Sequence, residues 1–238
     1  MLLLATDFSC LLTHPGMRAY ISRYNITFPT QSIMPNGFTS MPCGCASLAI
    51  EKGCKTLSVS LDGPTSKPHG IGYPSSPLDL LITIEFRPAG LYALTGIPQS
   101  ELVDASLPFE AVQPKLCKLL ADAIERAGHL HELAASLDAL FLAHLHAAHH
   151  PQVLLTLHGI LHHAGNSTMK ELSADVHYSE RQLNRIFNQH IGMGVKAFSR
   201  LIRVHNTVRL LKKPGASLTL ISDAMGYHDL SHLVRDFR

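Results

Sequence analysis

The stretch ELSADVHYSERQLNRIF, residues 171–187, carries the spacing of two short helices joined by a tight turn. Apolar Met169, Leu172 and Val176 recur at helical intervals and predict the buried face of the first helix. Ser179 is a favourable N-cap for the second helix, because its hydroxyl can accept a hydrogen bond from an unpaired backbone N–H. The pattern predicts a helix-turn-helix unit.

The second helix of this unit has two different faces. Its predicted buried stripe consists of Leu183, Ile186 and Phe187. Its other face carries four long or amide side chains, Arg181, Asn184, Arg185 and Asn188. Guanidinium and amide groups suit base edges and phosphates, so this face predicts a surface that reads DNA.

The same arrangement returns in LISDAMGYHDLSHLVRDF, residues 220–237. Three residues stand fifty positions after their equivalents: Leu233 after Leu183, Arg235 after Arg185, and Phe237 after Phe187. Asp229 takes the place of Ser179 as N-cap, and the turn is one residue longer and contains Gly226. Core packing alone is a poor explanation for two copies in register, so the pattern predicts a second helix-turn-helix unit.

One longer helix is predicted between the two copies, over residues 194–211. Its apolar side consists of Phe198, Leu201, Ile202, Val208 and Leu211. At 1.5 Å per residue it would be about 27 Å long. Such a helix can set two recognition helices about one turn of DNA, roughly 34 Å, apart.

These residues resemble a known family. The run SERQLNRIFNQHIGMGVKAFSRLIRVHNTVRLL, residues 179–211, resembles the DNA-binding domain of AraC/XylS transcription regulators, and GYHDLSHLVRDF, residues 226–237, resembles that family's second signature. The resemblance implies DNA contacts at matching positions in both recognition helices, namely Arg181, Asn184 and Arg185, and Leu230, Ser231 and Arg235. Arg203, Lys212 and Lys213 are expected to add attraction to the DNA backbone.

Three departures from the family pattern bear on this expectation. His177 stands where the first turn often has glycine, and Val195 stands where proline often begins the linking helix. The sequence stops at Arg238, whereas the family normally adds a further helix behind the second recognition helix. The second unit is therefore expected to be truncated and the DNA-binding domain incomplete at its C-terminus.

The first part of the chain has a different character. Residues 1–109 are rich in proline and glycine and contain β-prone runs such as residues 56–61 and 80–86, which predict a small antiparallel sheet or barrel. Helical periodicity follows and predicts a connector over residues 110–150, with the DNA-binding domain over residues 151–238. The predicted fold class is α+β.

The front part also resembles the β-rich sensor domains attached to such regulators. The resemblance rests on MPCGCASLAI, residues 41–50, on FRPAG, residues 86–90, and on residues 96–108. It implies a cupin-like barrel that binds an effector or dimerises.

Charge and cysteine content agree with this division. Residues 1–165 carry nine lysines and arginines against twelve acidic residues, whereas residues 166–238 carry eleven against six. A basic tail on a mildly acidic front suits a sensor joined to a nucleic-acid binder. The five cysteines form no regular framework, and neither a signal peptide nor an apolar run of roughly 18 residues is recognisable. A reduced, cytoplasmic protein without a membrane partner is expected.

Metal and enzyme chemistry lack their usual residues. Cys43, Cys45 and Cys54 do not have the paired CxxC spacing of zinc sites, which also argues against the zinc-thiolate methyl-acceptor class of DNA repair protein. His158 and His162 share a helix face, but the glutamate of a hydrolytic zinc helix is missing, and solvated or capping histidines are the favoured interpretation. No phosphate-binding glycine loop, nucleophile elbow or carboxylate pair is present. We therefore predict no catalytic residue, no cofactor and no metal.

The sequence thus predicts a sequence-specific transcription regulator that binds double-stranded DNA. RNA polymerase, an unknown small-molecule effector and a second copy of the chain are the other candidate partners. Two alternatives stay open: a protein-interaction or dimerisation module that does not bind DNA, and a metal-dependent cupin-like enzyme.

Overall fold

The computed structural model describes residues 8–28, 38–71 and 78–237. The chain divides into two compact units. The first comprises residues 1–148 with 190–192, and the second comprises residues 149–189 with 193–238.

An antiparallel sheet forms the centre of the first unit. Its strands, in spatial order, are β1 (Phe8–Leu11), β2 (Ile21–Thr27), β7 (Leu80–Phe86), β4 (Ser47–Lys52), β5 (Leu57–Asp62) and β8 (Ser106–Pro108). Two short strands, β3 (Phe38–Ser40) and β6 (His69–Ile71), pair with each other. Within the described ranges the edge strands β1 and β8 do not pair, so the sheet is open and the expected closure into a barrel is not found. Both edges are short, and β8 ends at Pro108, which has no N–H to extend the ladder.

Alternation along the strands explains which face of the sheet is buried. In β7, every second residue from Leu80 to Phe86 is buried, and β4 presents Leu48 and Ile50 to the same side. The register aligns Leu48 with Ile84 and Ile50 with Ile82, so apolar side chains lie side by side across the strands.

Helices cover this apolar face. They are α1 (Gly90–Thr95), α2 (Phe109–Val112), α3 (Pro114–Arg126) and α4 (Leu130–Ala143), with short 3-10 turns at Pro15–Met17 and Gln99–Glu101. Leu120 of α3 and Leu137 of α4 are fully buried in the core of the sheet, and the ring of Phe141 meets Phe86 edge-on at 6.2 Å. Both helices of the predicted connector therefore belong to the core of the sheet unit.

A buried polar contact also joins α4 to the sheet. The Tyr24 hydroxyl donates to Oδ1 of Asp138 at 2.8 Å, and the His14 backbone N–H donates to Oδ2 at 2.8 Å. Tyr24 is inaccessible to solvent and Asp138 is 8% exposed. Burial, followed by the Asp138 carboxylate, holds the pKa of Tyr24 far above its usual range, so the phenol remains a donor.

The second unit is helical. It contains α5 (Pro151–His162), α6 (Met169–Asp175), α7 (Glu180–Ile191), α8 (Val195–Leu211), α9 (Leu218–Ala224) and α10 (Leu230–Asp236). The pairs α6–α7 and α9–α10 are the two predicted helix-turn-helix units, and α8 is the predicted linking helix. The α+β class is confirmed. No helix in the described ranges combines the length and the apolar character needed to cross a membrane.

Candidate nucleic-acid interface

The turns of the two helix-turn-helix units close in the same way. In the first, Tyr178 N–H donates to the Ser173 carbonyl at 3.1 Å while His177 has φ of 55°. In the second, Tyr227 N–H donates to the Ser222 carbonyl at 3.0 Å while Gly226 has φ of 69°. This is the hydrogen-bond pattern that ends a helix with one left-handed residue. The repeat in the sequence is therefore a repeat in backbone geometry.

Each recognition helix starts at its predicted N-cap. The Ser179 hydroxyl accepts from the Gln182 N–H at 3.2 Å, and Asp229 Oδ1 accepts from the His232 N–H at 2.6 Å. The hydrogen bond from the His232 backbone, together with His228, lowers the pKa of Asp229. The carboxylate therefore remains charged near neutral pH, at the helix end that favours negative charge.

The face of α7 that was predicted to read DNA is exposed to solvent. Its predicted members Arg181, Asn184 and Arg185 are exposed, and Asn188 is half-buried. On the opposite face Leu183 and Phe187 are fully buried, with the Phe187 ring 5.6 Å from that of Phe198 in α8. Ile186, which was predicted to be buried, lies at the boundary and is half-buried.

Helix α10 exposes a similar set of residues to solvent, but its apolar side is less completely buried than that of α7. Leu230, Ser231 and Arg235 are exposed, as their predicted role requires, and Leu233 is buried with Ile221 and Met225. Phe237, the equivalent of Phe187, is 42% exposed. The second recognition helix is therefore anchored by fewer apolar contacts than the first.

Asn184 has a contact that the sequence analysis missed. Its side-chain Oδ1 accepts a hydrogen bond from the Val195 backbone N–H at 3.1 Å, so the first recognition helix caps the start of α8. A Cβ atom on Gly194 would lie 2.7 Å from the same oxygen, so the contact also depends on glycine there. This contact requires a residue other than proline at position 195, because proline would have no N–H to donate. The departure from the family pattern at Val195 therefore makes the contact possible. Any contact of Asn184 with DNA must use the rest of its amide.

The cations of α8 and the loop after it fall into two groups. Arg203, expected to attract the DNA backbone, binds Asp236 of α10 at 3.0 Å, so its guanidinium is engaged within the protein. Lys212 and Lys213 are exposed. No helical periodicity could indicate the contact between Arg203 and Asp236, because their side chains meet only after the whole domain has folded.

The cysteines and histidines show no convergence on a metal in the part of the chain that is described, where no three His, Cys, Asp or Glu side chains lie close enough to share an ion. His158 and His162 stack with ring centroids 5.9 Å apart, as helical spacing predicts. Cys43 is exposed, and hydrogen bonds from Cys45 lower its pKa to about 7. The absence of a metal and of a catalytic residue stays a prediction.

Comparisons with known proteins agree with the helix geometry. The sequence model of a helix-turn-helix domain family matches residues 172–238. Two such units joined by a long helix define a DNA-binding protein of the helix-turn-helix class. More particularly, residues 172–238 of this chain are similar to that helix-turn-helix domain family.

More distant likenesses extend over most of the chain. The comparison with curated proteins found no match. Among solved structures, an apo form of a ToxT variant from Vibrio cholerae is 10% identical with a TM-score of 0.39, over 97% of this chain and 86% of that one. A form of Vibrio cholerae ToxT bound to (E)-4-(8-methylnaphthalen-1-yl)but-3-enoic acid is 11% identical with a TM-score of 0.40, over 98% of this chain and 90% of that one.

Proposed function

We propose that this protein is a sequence-specific transcription regulator that inserts α7 and α10 into successive major grooves of double-stranded DNA. The observation that carries the proposal is the repeated unit itself, with the same hydrogen bond closing the first helix, the same kind of N-cap and exposed arginines at equivalent positions, Arg185 and Arg235. Helix α8 has 17 residues and rises about 25 Å. With the flanking turns, that length suits recognition helices separated by about one turn of DNA.

The residues proposed to contact DNA are those on the two exposed faces: Arg181, Asn184, Arg185, Asn188, Leu230, Ser231 and Arg235. Arg185 and Arg235 are the main candidates for base reading, since a guanidinium can bind a guanine edge through two hydrogen bonds. Lys212 and Lys213 are proposed as phosphate contacts.

The sheet unit is proposed to sense an effector or to dimerise. Its face opposite the apolar core carries a half-buried row of small and polar residues, Asn25, Thr83, Ala49 and Ser60, aligned across four strands. Next to this row Glu85 accepts from Arg23 and Asn25, each at 2.7 Å. In this assignment residues 1–109 sense, the helices of residues 110–150 complete the core of the sensing unit and lead to residues 151–238, and residues 151–238 bind DNA. The protein is proposed to act in the cytoplasm, with RNA polymerase as a further partner and no enzymatic step.

Selection of bound duplexes from a random library tests the proposal. The full chain is expected to enrich a motif of two boxes about 10 base pairs apart. Arg185→Ala should weaken binding to that motif by about 1–3 kcal/mol and relax the sequence preference in one box, and Arg235→Ala should do so in the other. Arg126→Ala, which removes an exposed arginine at the end of α3, is the matched control. Equal loss on random duplex would reduce either arginine to a phosphate contact, and the absence of any enriched motif would contradict the function.

A further inference from the structure

The side chain of Asp236 binds two arginines of the linking helix at the last turn of α10. Its Oδ2 accepts from Nε and Nη2 of Arg203 at 3.2 and 3.0 Å, and its Oδ1 lies 3.1 Å from Nε of Arg200. The carboxylate is 10% exposed and the Arg203 side chain 18%, so this contact is more shielded from solvent than an ordinary surface ion pair, whereas the Arg200 side chain is 49% exposed.

Arg200 also binds the backbone at the same place. Its Nη2 donates to the carbonyl oxygens of Arg235 and Asp236, each at 3.1 Å. The last carbonyls of a helix have no partner within the helix and carry the negative end of its dipole. A guanidinium here satisfies both the hydrogen-bonding and the electrostatic need of α10.

A second contact with α8 holds the turn that precedes α10. The guanidinium carbon of Arg203 lies 5.2 Å from the centre of the Tyr227 ring, an arrangement that attracts a cation to the ring face. The Tyr227 hydroxyl is 3.4 Å from Oγ1 of Thr207, which donates to the Arg203 carbonyl at 2.8 Å. Arg203 therefore touches α10 at its end and the chain just before its start.

The first recognition helix has no equivalent of this carboxylate. Fifty positions before Asp236 stands Ile186, and the first helix is fixed instead by the fully buried Phe187. In α10 the equivalent Phe237 is 42% exposed and Val234 is 50% exposed. The end of α10 is thus held on α8 by polar contacts, whereas the equivalent end of α7 is held by apolar packing.

We infer that Arg200, Arg203 and Asp236 form a clamp that sets the orientation of α10 on α8 and thereby determines how the second box of DNA is read. The inference rests on the proposed function and assigns these three as positioning residues. It removes Arg203 from the set of residues expected to attract the DNA backbone. Arg235 carries the reading group, and the clamp fixes the direction in which that group points.

Hydrogen exchange of the full chain without DNA tests whether the clamp holds α10. Asp236→Asn keeps the size of the side chain and removes its charge, and Asp223→Asn makes the same change at an exposed residue of α9. Amide exchange within residues 230–237 is expected to rise about tenfold in Asp236→Asn, since 1.4 kcal/mol of local opening free energy is a factor of ten. Exchange in α7 should be unchanged, and Asp223→Asn should match the wild type. Unchanged exchange in α10 would overturn the clamp.

Selection from the random duplex library then tests the reading role. Asp236→Asn should retain the first box, lose the sequence preference of the second, and bind the two-box duplex about tenfold more weakly, the loss expected from roughly one base contact. Arg203→Lys keeps the charge without the forked donor and should give an intermediate loss, whereas Arg209→Lys, at an exposed arginine of α8, should give none. Faster exchange in α10 with an intact second box would reduce the clamp to a stabilising contact and overturn the inference. A wild-type chain that selects no motif would overturn the proposed function and this reading role, while exchange would still report whether the clamp exists.

Discussion

Single residues at the caps determine where each recognition helix begins. Ser179 and Asp229 were predicted as N-caps, and both accept the expected hydrogen bond three residues on. These caps could be predicted because a cap involves only residues of its own turn of helix. The role of Asn184 could not be found in the same way, because its partner Val195 lies eleven residues away, at the start of another helix.

His177 is the residue of the first turn with the clearest conformational cost. Its φ of 55° places a side chain with a Cβ in the left-handed region, where Gly226 stands in the second turn. Such a conformation costs roughly 1–2 kcal/mol for a residue with a Cβ, and glycine would remove this strain. The greater conformational freedom of glycine in the unfolded chain would offset about 0.5–1 kcal/mol of that gain. His177→Gly should therefore raise the free energy of unfolding by about 0.5–1 kcal/mol in urea denaturation.

The second turn provides the opposite test. Gly226→Ala should destabilise the domain, because φ is 69° there and the added Cβ would lie 2.9 Å from Oδ1 of Asn166. A loss of stability in His177→Gly would mean that the imidazole contributes more than the strain of its backbone costs.

At the scale of elements, the helices of the second unit were predicted better than the sheet. Helical periodicity and caps are local, and they predicted the bounds of α8 and the starts of α7 and α10 close to those observed. Strand order is not local, because β2 pairs with β7, which follows more than fifty residues later in the chain. The sequence of either strand alone does not indicate its pairing partner. For the same reason the sequence presented α3 and α4 as a connector, whereas Leu120 and Phe141 lie in the core of the sheet.

The contact between Tyr24 and Asp138 is expected to stabilise the docking of α4 on the sheet. Tyr24→Phe removes one of the two donors that the structure describes for the buried Asp138 carboxylate, and leaves the His14 N–H. The substitution should therefore lower the free energy of unfolding by about 1–3 kcal/mol. A double-mutant cycle with Asp138→Ala, measured by urea denaturation, should give a coupling energy of about 1 kcal/mol or more. Independent effects of the two substitutions would contradict a direct bond.

The same contact predicts a pH dependence. Because the pKa of Tyr24 is raised in the folded state, the unfolded chain loses its phenol proton first, at a pH of about 10. The stabilisation is fully present below that pH and is lost as the pH rises further. Tyr24→Phe should remove this part of the alkaline decline, and an identical decline in the variant would assign it to other groups.

At the scale of the whole molecule, the uneven distribution of charge matters more than its small total. The sequence has a formal net charge of +2, yet the basic excess lies entirely beyond residue 165. The structure divides those cations again, since Arg200 and Arg203 are engaged by Asp236 while Lys212 and Lys213 are exposed. Composition could predict that the basic excess lies in the second part of the chain. Which of these cations are engaged within the protein depends on the side chains that meet in the folded domain.

Binding to random-sequence duplex should therefore fall steeply with salt, and the slope should depend on where the cations lie. Each phosphate contact contributes about 0.9 to the slope of log affinity against log salt, so the double variant Lys212→Ala/Lys213→Ala should reduce the slope by about 2. Lys115→Ala/Lys118→Ala, which removes two exposed lysines of α3, changes the net charge equally and should leave the slope unchanged. Affinity measured by fluorescence anisotropy between about 50 and 200 mM salt separates the two cases, because counterion release depends on phosphates contacted. Equal reductions in both variants would show that DNA responds to the charge of the whole molecule and not to a surface on the helix-turn-helix domain.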